Sequence, residues 1–121
     1  MSKILLVEDE PFLSSLLKGR LEKESFEVAV ARDGDEALSL LKLNKPDLIL
    51  LDILLPKENG ISFLKKIKEM ENISEVPVVA FSNYDEPRTK KQAFDLGVKA
   101  YLIKTRYTPK QLITEIRKFL E

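Results

Sequence analysis

Five short apolar runs recur along the chain, and after each comes a longer amphipathic stretch. The runs are Ile4–Val7, Val28–Ala31, Leu48–Leu51, Val78–Phe81 and Ala100–Ile103, each four residues long. They are β-branched or leucine-rich and mostly apolar on both faces, as strands in the interior of a parallel sheet must be. Strict alternation of strand and helix predicts an α/β domain built from right-handed crossovers.

The intervening stretches carry helix punctuation. Pro11–Glu24 places Phe12, Leu13, Leu16, Leu17 and Leu21 on one stripe, with Pro11 suited to the first turn. Asp33 is placed to cap a helix through Leu43 that buries Ala37, Leu38 and Leu41. Gly60 precedes a third helix, with Ile61, Leu64 and Ile67 at helical spacing. The fourth runs over Glu86–Leu96 before Gly97, with Ala93, Phe94 and Leu96 as its buried side. Thr108 caps the last, whose Leu112, Ile113, Ile116, Phe119 and Leu120 form the clearest amphipathic pattern. No repeat, low-complexity segment or linker interrupts the series, which reads as a single domain over residues 1–121 with no effector domain.

Composition removes several function classes. Twenty Lys and Arg balance twenty Asp and Glu, so no general field draws the chain to nucleic acid or an anionic membrane. There is no Cys, hence no thiol nucleophile or thiolate metal site, and no His, hence no imidazole base. The N-terminus lacks the pattern of a signal peptide, and no apolar run approaches the roughly 18 residues of a membrane span, which makes the cytoplasm the expected location.

The chemistry gathers just after the strands. Glu8, Asp9 and Glu10 follow the first, Asp52 the third, Ser82 and Asn83 the fourth, and Lys104 and Thr105 the fifth. In an open α/β sheet, ligands bind in the crevice outside the carboxyl ends of the strands. Asp52 interrupts an apolar run, and a rim position at the strand end would spare it burial. Beside Glu8 and Asp9 it would repel its neighbours unless one acid is protonated or a cation intervenes. Oxygen ligands of this kind suit Mg²⁺, with Mn²⁺ as a substitute. An Asp nucleophile, a metal, a lysine and a hydroxyl are the parts needed to accept a phosphoryl group. Taken singly, each has a plainer explanation: acids favouring a helix dipole, a turn serine, a solvated lysine, a core tyrosine at Tyr101. Their joint placement at four strand ends is what those explanations do not predict.

From ILLVEDE at 4–10 through LLDILLPKENG at 50–60 and VVAFSN at 78–83 to AYLIK at 100–104, the chain resembles the receiver domain of bacterial two-component response regulators. The resemblance implies a flavodoxin-like (βα)₅ three-layer sandwich with a parallel five-stranded sheet in the order 2-1-3-4-5. It implies that Asp52 is the phosphoacceptor and that Glu8, Asp9, Asp52 and the Leu54 backbone carbonyl hold Mg²⁺. Ser82 and Lys104 would contact the phosphoryl oxygens, and Ser82 and Tyr101 would be the switch residues. The implied donor is a phospho-histidine on a sensor histidine kinase or histidine phosphotransfer protein. The implied output is a changed surface on helix 4, strand 5 and helix 5, read by an unknown downstream protein, without direct binding to nucleic acid or membrane. The chain would catalyse only its own phosphorylation and dephosphorylation, with no metabolite turned over.

Two features depart from the family pattern, at Thr105 and at the pair Leu54 and Tyr84. Thr105 stands where a proline in a cis peptide usually follows the lysine; cis before Thr costs about 2.5–4 kcal/mol, which predicts a trans Lys104–Thr105 bond. Leu54 and Tyr84 are apolar and aromatic where polar groups can position hydrolytic water, which predicts slow loss of phosphate. A non-phosphorylated receiver acting as an interaction module is the alternative. A haloacid-dehalogenase-type phosphatase needs a second Asp where Leu54 stands, and a nucleotide-binding fold needs a glycine-rich loop that four dispersed glycines do not supply.

Overall fold

A computed structural model of the protein describes residues 1–120. The strands are β1 (Lys3–Val7), β2 (Glu27–Ala31), β3 (Leu48–Leu51), β4 (Val78–Ser82) and β5 (Ala100–Ile103). The helices between and after them are α1 (Pro11–Lys23), α2 (Gly34–Leu43), α3 (Gly60–Lys68), α4 (Pro87–Asp95) and α5 (Pro109–Arg117). All strand pairs are parallel, and the sheet order is β2-β1-β3-β4-β5, as the family resemblance implies.

The sheet separates two apolar cores. Leu5, Val7, Ile49, Leu51 and Val78 face one side and pack with Phe63, Leu64 and Ile67 of α3. Ile4, Leu6, Leu48, Leu50 and Val79 face the other and pack with Leu17 and Leu21 of α1 and Leu112 and Ile116 of α5. Alternate residues of one strand therefore feed opposite cores, which is why these runs are apolar throughout rather than alternating.

Local chemistry sets the helix starts. Glu10, Asp33, Asn59 and Glu86 each accept backbone N–H bonds at the N-termini of α1 to α4. Thr108 and Gln111 form a reciprocal capping box on α5. Gly97, with φ of 92°, closes α4 in a conformation that side chains with a Cβ rarely adopt.

The helix faces correct two expectations. On α1, Leu17 and Leu21 are buried, but Phe12 is 77% and Leu16 40% exposed. Five apolar residues span more of the helix circumference than one contact face covers, so the two nearest the outer edge stay in solvent. On α4, Ala93 is buried while Phe94 is 49% exposed, because the helix rests on the sheet through its Ala93 and Thr89 side.

Candidate functional site: an acidic cluster at the strand ends

Parallel pairing in register carries the chemistry to one edge of the sheet. Val7 pairs with Leu51, so Glu8 and Asp52 occupy the next rung on adjacent strands. The backbone keeps that rung: Asp52 donates its N–H to Val7 O at 3.0 Å, and Glu8 donates to Ala31 O at 2.9 Å. Ser82 ends β4 opposite Ile103, which delivers Lys104 immediately beyond.

Glu8 and Asp52 are both buried, and Asp9 beside them is exposed. Asp52 thus lies at its strand end but is only 6% exposed, a correction to the expected open rim. The cation that compensates its burial is a side chain. Lys104 Nζ lies 2.6 Å from Glu8 Oε1 and 2.8 Å from Asp52 Oδ2. The remaining oxygens are also met: Asp52 Oδ1 accepts the Leu54 N–H at 3.1 Å, and Glu8 Oε2 accepts the Glu10 N–H at 3.0 Å. Among the described residues, no buried side-chain polar atom lacks a partner.

Burial pushes the Glu8 carboxyl above its ordinary value, and hydrogen bonds from Lys104 and Glu10 offset only part of that rise. For Lys104, burial acts to lower the pKa, but hydrogen bonds and charges from Asp52 and Glu8 outweigh it and the net direction is upward. The two shifts bear oppositely on the Glu8–Lys104 pair. The contacts of 2.6 and 2.8 Å to two acids decide in favour of a charged lysine. Oxygens of Glu8, Asp9 and Asp52 lie within 4.8 Å of one another, an all-oxygen set of the type that holds hard divalent cations.

A second group of contacts lies beside the cluster. Ser82 is fully buried, and its Oγ accepts the Tyr84 N–H at 3.2 Å. The Tyr101 hydroxyl donates to Tyr84 O at 2.5 Å. Burial, the largest influence, pushes its pKa up to about 12. Lys90 stands 5.8 Å over the Tyr101 ring and pairs with Asp85. After Lys104 the chain makes a short 3₁₀ turn, Lys104–Arg106, and no described peptide is cis, as Thr105 predicts.

A family model described as the response regulator receiver domain matches residues 4–117. The chain belongs to this family. Transcriptional regulatory protein CpxR of Escherichia coli is 40% identical over 120 residues, covering 99% of this chain and 50% of CpxR. The chain spans about half the length of the curated relatives it matches. Chemotaxis response regulator CheY4 of Vibrio cholerae superposes with a TM-score of 0.91 at 25% identity, over 99% of each chain. The BeF₃-activated N-terminal receiver domain of Klebsiella pneumoniae RstA gives 0.88 at 30% identity, over 98% of each chain. No helix of the receiver, among the described residues, is long and apolar enough to cross a membrane.

The receiver fold brings Glu8, Asp9, Asp52 and Lys104 together, with Ser82 and Tyr101 in the adjoining group. Two features escaped the sequence reading. Lys104 bridges Glu8 as well as Asp52, a contact across 96 positions with no local signal. Asn83 receives a backbone bond from Thr105, which only tertiary proximity reveals.

Proposed function

We propose that this receiver is a phosphoacceptor switch with Asp52 as the acceptor. An Asp52 carboxylate oxygen attacks the phosphorus of a phospho-histidine on a sensor kinase or phosphotransfer protein. The P–N bond breaks, and the imidazole leaves. Glu8, Asp9 and Asp52, with the Leu54 carbonyl, are the residues that would hold Mg²⁺. When bound, the metal supplies charge neutralisation for the transferring phosphoryl oxygens.

The observation that carries this reading is the bridge from Lys104 to Asp52 and Glu8. It fixes a cation within hydrogen-bond reach of the acceptor, where it can follow the phosphoryl oxygens as charge develops. Ser82 contributes the hydroxyl donor beside it. Tyr101 and Ser82 both contact Tyr84, so displacement of Ser82 toward a phosphoryl group disturbs the Tyr101 bond and the neighbouring surface of α4, β5 and α5. The partner reading that surface is a protein.

Intact-mass spectrometry after incubation with acetyl phosphate and Mg²⁺ tests the proposal. A single phosphoryl adduct is expected, absent from Asp52→Asn and from samples with EDTA. An unlabelled chain, under conditions that label another receiver, refutes it and favours the non-phosphorylated interaction module.

A further inference from the structure

The β4–β5 ladder pairs Val79 with Ala100, Ala80 with Tyr101, Phe81 with Leu102 and Ser82 with Ile103. The two strands then end, and Ser82 and Lys104 are the side chains delivered at that point. One more bond continues the pairing beyond the sheet. The Thr105 N–H donates to Asn83 Oδ1 at 3.2 Å, an amide side chain taking the place of a strand carbonyl. Asn83 adjoins Ser82, and Thr105 adjoins Lys104. We infer that the Asn83–Thr105 bond is a positioning contact that holds the Ser82 and Lys104 ends together as one preorganised grip on the phosphoryl group. This inference rests on the phosphoacceptor reading and names the device that sets its geometry.

The surrounding contacts support a device rather than an isolated loop bond. Tyr84, next in sequence, receives the Tyr101 hydroxyl at 2.5 Å, and Asp85 pairs with Arg106 at 3.5 Å. Three consecutive residues after Ser82 are therefore each tied to β5 or to the turn that follows it. Of the three ties, only the first joins the immediate neighbours of the two phosphoryl-directed groups. It also uses the backbone N–H of residue 105 as a donor, which a proline there would lack. Its role follows from positioning: with the two strand ends held in fixed relation, only the Ser82 hydroxyl has to move when charge develops beside Asp52. Asn83 and Thr105 are both exposed, so neither contributes core packing. A substitution at Asn83 therefore alters the grip with little effect on the fold.

The test measures the rate of Asp52 labelling by acetyl phosphate and Mg²⁺, with amide hydrogen exchange at Thr105 as a readout independent of chemistry. Asn83→Ala is expected to slow labelling about threefold to tenfold, the range that losing one hydrogen bond permits, and to speed Thr105 exchange. Asn83→Asp keeps the acceptor oxygen and is expected to restore both. With Ser82→Ala as the background, the Asn83→Ala effect is expected to fall below about twofold, since only one side of the grip remains. Three results overturn the inference: labelling indifferent to Asn83→Ala, an Asn83→Asp variant as slow as Asn83→Ala, or the full effect persisting without the Ser82 hydroxyl. A wild-type chain that takes no phosphoryl group at all overturns the phosphoacceptor reading and this inference with it.

Discussion

Replacing Lys104 with methionine keeps most of the aliphatic stem and removes the charge that separates Glu8 from Asp52. Both carboxylates remain buried, and their oxygens lie within 4.8 Å. At that separation and an effective dielectric constant near 20, their repulsion is about 3.5 kcal/mol. Breaking a buried ion pair by deleting one partner costs about 3–5 kcal/mol by itself. The Lys104 side chain is 15% exposed and Asp9 opens the cluster to solvent, which places the net loss near the lower bound, at about 3 kcal/mol. With a urea dependence of about 1–3 kcal/mol per molar, the unfolding midpoint falls by roughly 1–3 M at neutral pH without metal. The pH dependence has a definite sign. Burial already raises Glu8, and losing Lys104 removes the hydrogen bond that lowers it, so its protonated form becomes easier to reach in the variant. The stability gap therefore narrows as pH falls through the raised Glu8 value toward its ordinary 4.5. Mg²⁺ narrows it as well, by supplying the missing positive charge. Equilibrium urea unfolding of both chains, at neutral and mildly acidic pH and with Mg²⁺ or EDTA, measures all three effects. A loss below about 1 kcal/mol, or one indifferent to both acid and Mg²⁺, refutes the argument that Lys104 holds two mutually repelling acids together.

Three further outcomes follow from the same contacts. Leu54 and Tyr84 are 51% and 39% exposed and offer no carboxylate or amide side chain to orient water; the Leu54→Ala, Tyr84→Ala double variant is expected to lose its phosphoryl group faster, and an unchanged lifetime counts against that shielding role. Tyr101 titrates near 12 rather than 10, so its contribution to stability is complete below pH 10 and is lost as pH rises toward 12. Urea unfolding across that interval should show a decline that Tyr101→Phe reduces, and identical declines would remove Tyr101 as its source. At Gly60, an added Cβ would meet Ile53 Cα at 2.8 Å, and that backbone adjoins Asp52. Gly60→Ala is therefore expected to cost about 1–3 kcal/mol in urea unfolding and to slow Asp52 labelling; full stability would show that the loop yields.

Much of the receiver was legible because its signals are local. Each strand is a short run apolar on both faces, which only a sheet covered by helices on both sides can bury. Asp33 and Thr108 are capping residues whose bonds reach only three positions along the chain, to Glu36 and Gln111. Thr105 likewise specified a trans peptide through the local cost of cis. The spacing of Asp9, Asp52, Ser82 and Lys104 placed one polar group at or just beyond the end of each of four strands, and the family pattern gave those positions joint meaning.

What the tertiary structure decided depends on distances between segments far apart in sequence. The fate of Phe12, Leu16 and Phe94 turned on how far each helix face reaches around its contact, and periodicity carries no such information. The burial of Glu8 and Asp52 and their sharing of one ammonium required the in-register β1–β3 rung and the arrival of Lys104 after β5. The Asn83–Thr105 bond similarly exists only because β4 and β5 lie side by side and end together. The sequence by itself therefore determined the elements, their order and the residue types at the strand ends, since propensity and patterning act between near neighbours. Only packing fixed which charges meet, which are desolvated and which polar groups bind between neighbouring strand ends, since those energies depend on separation in space.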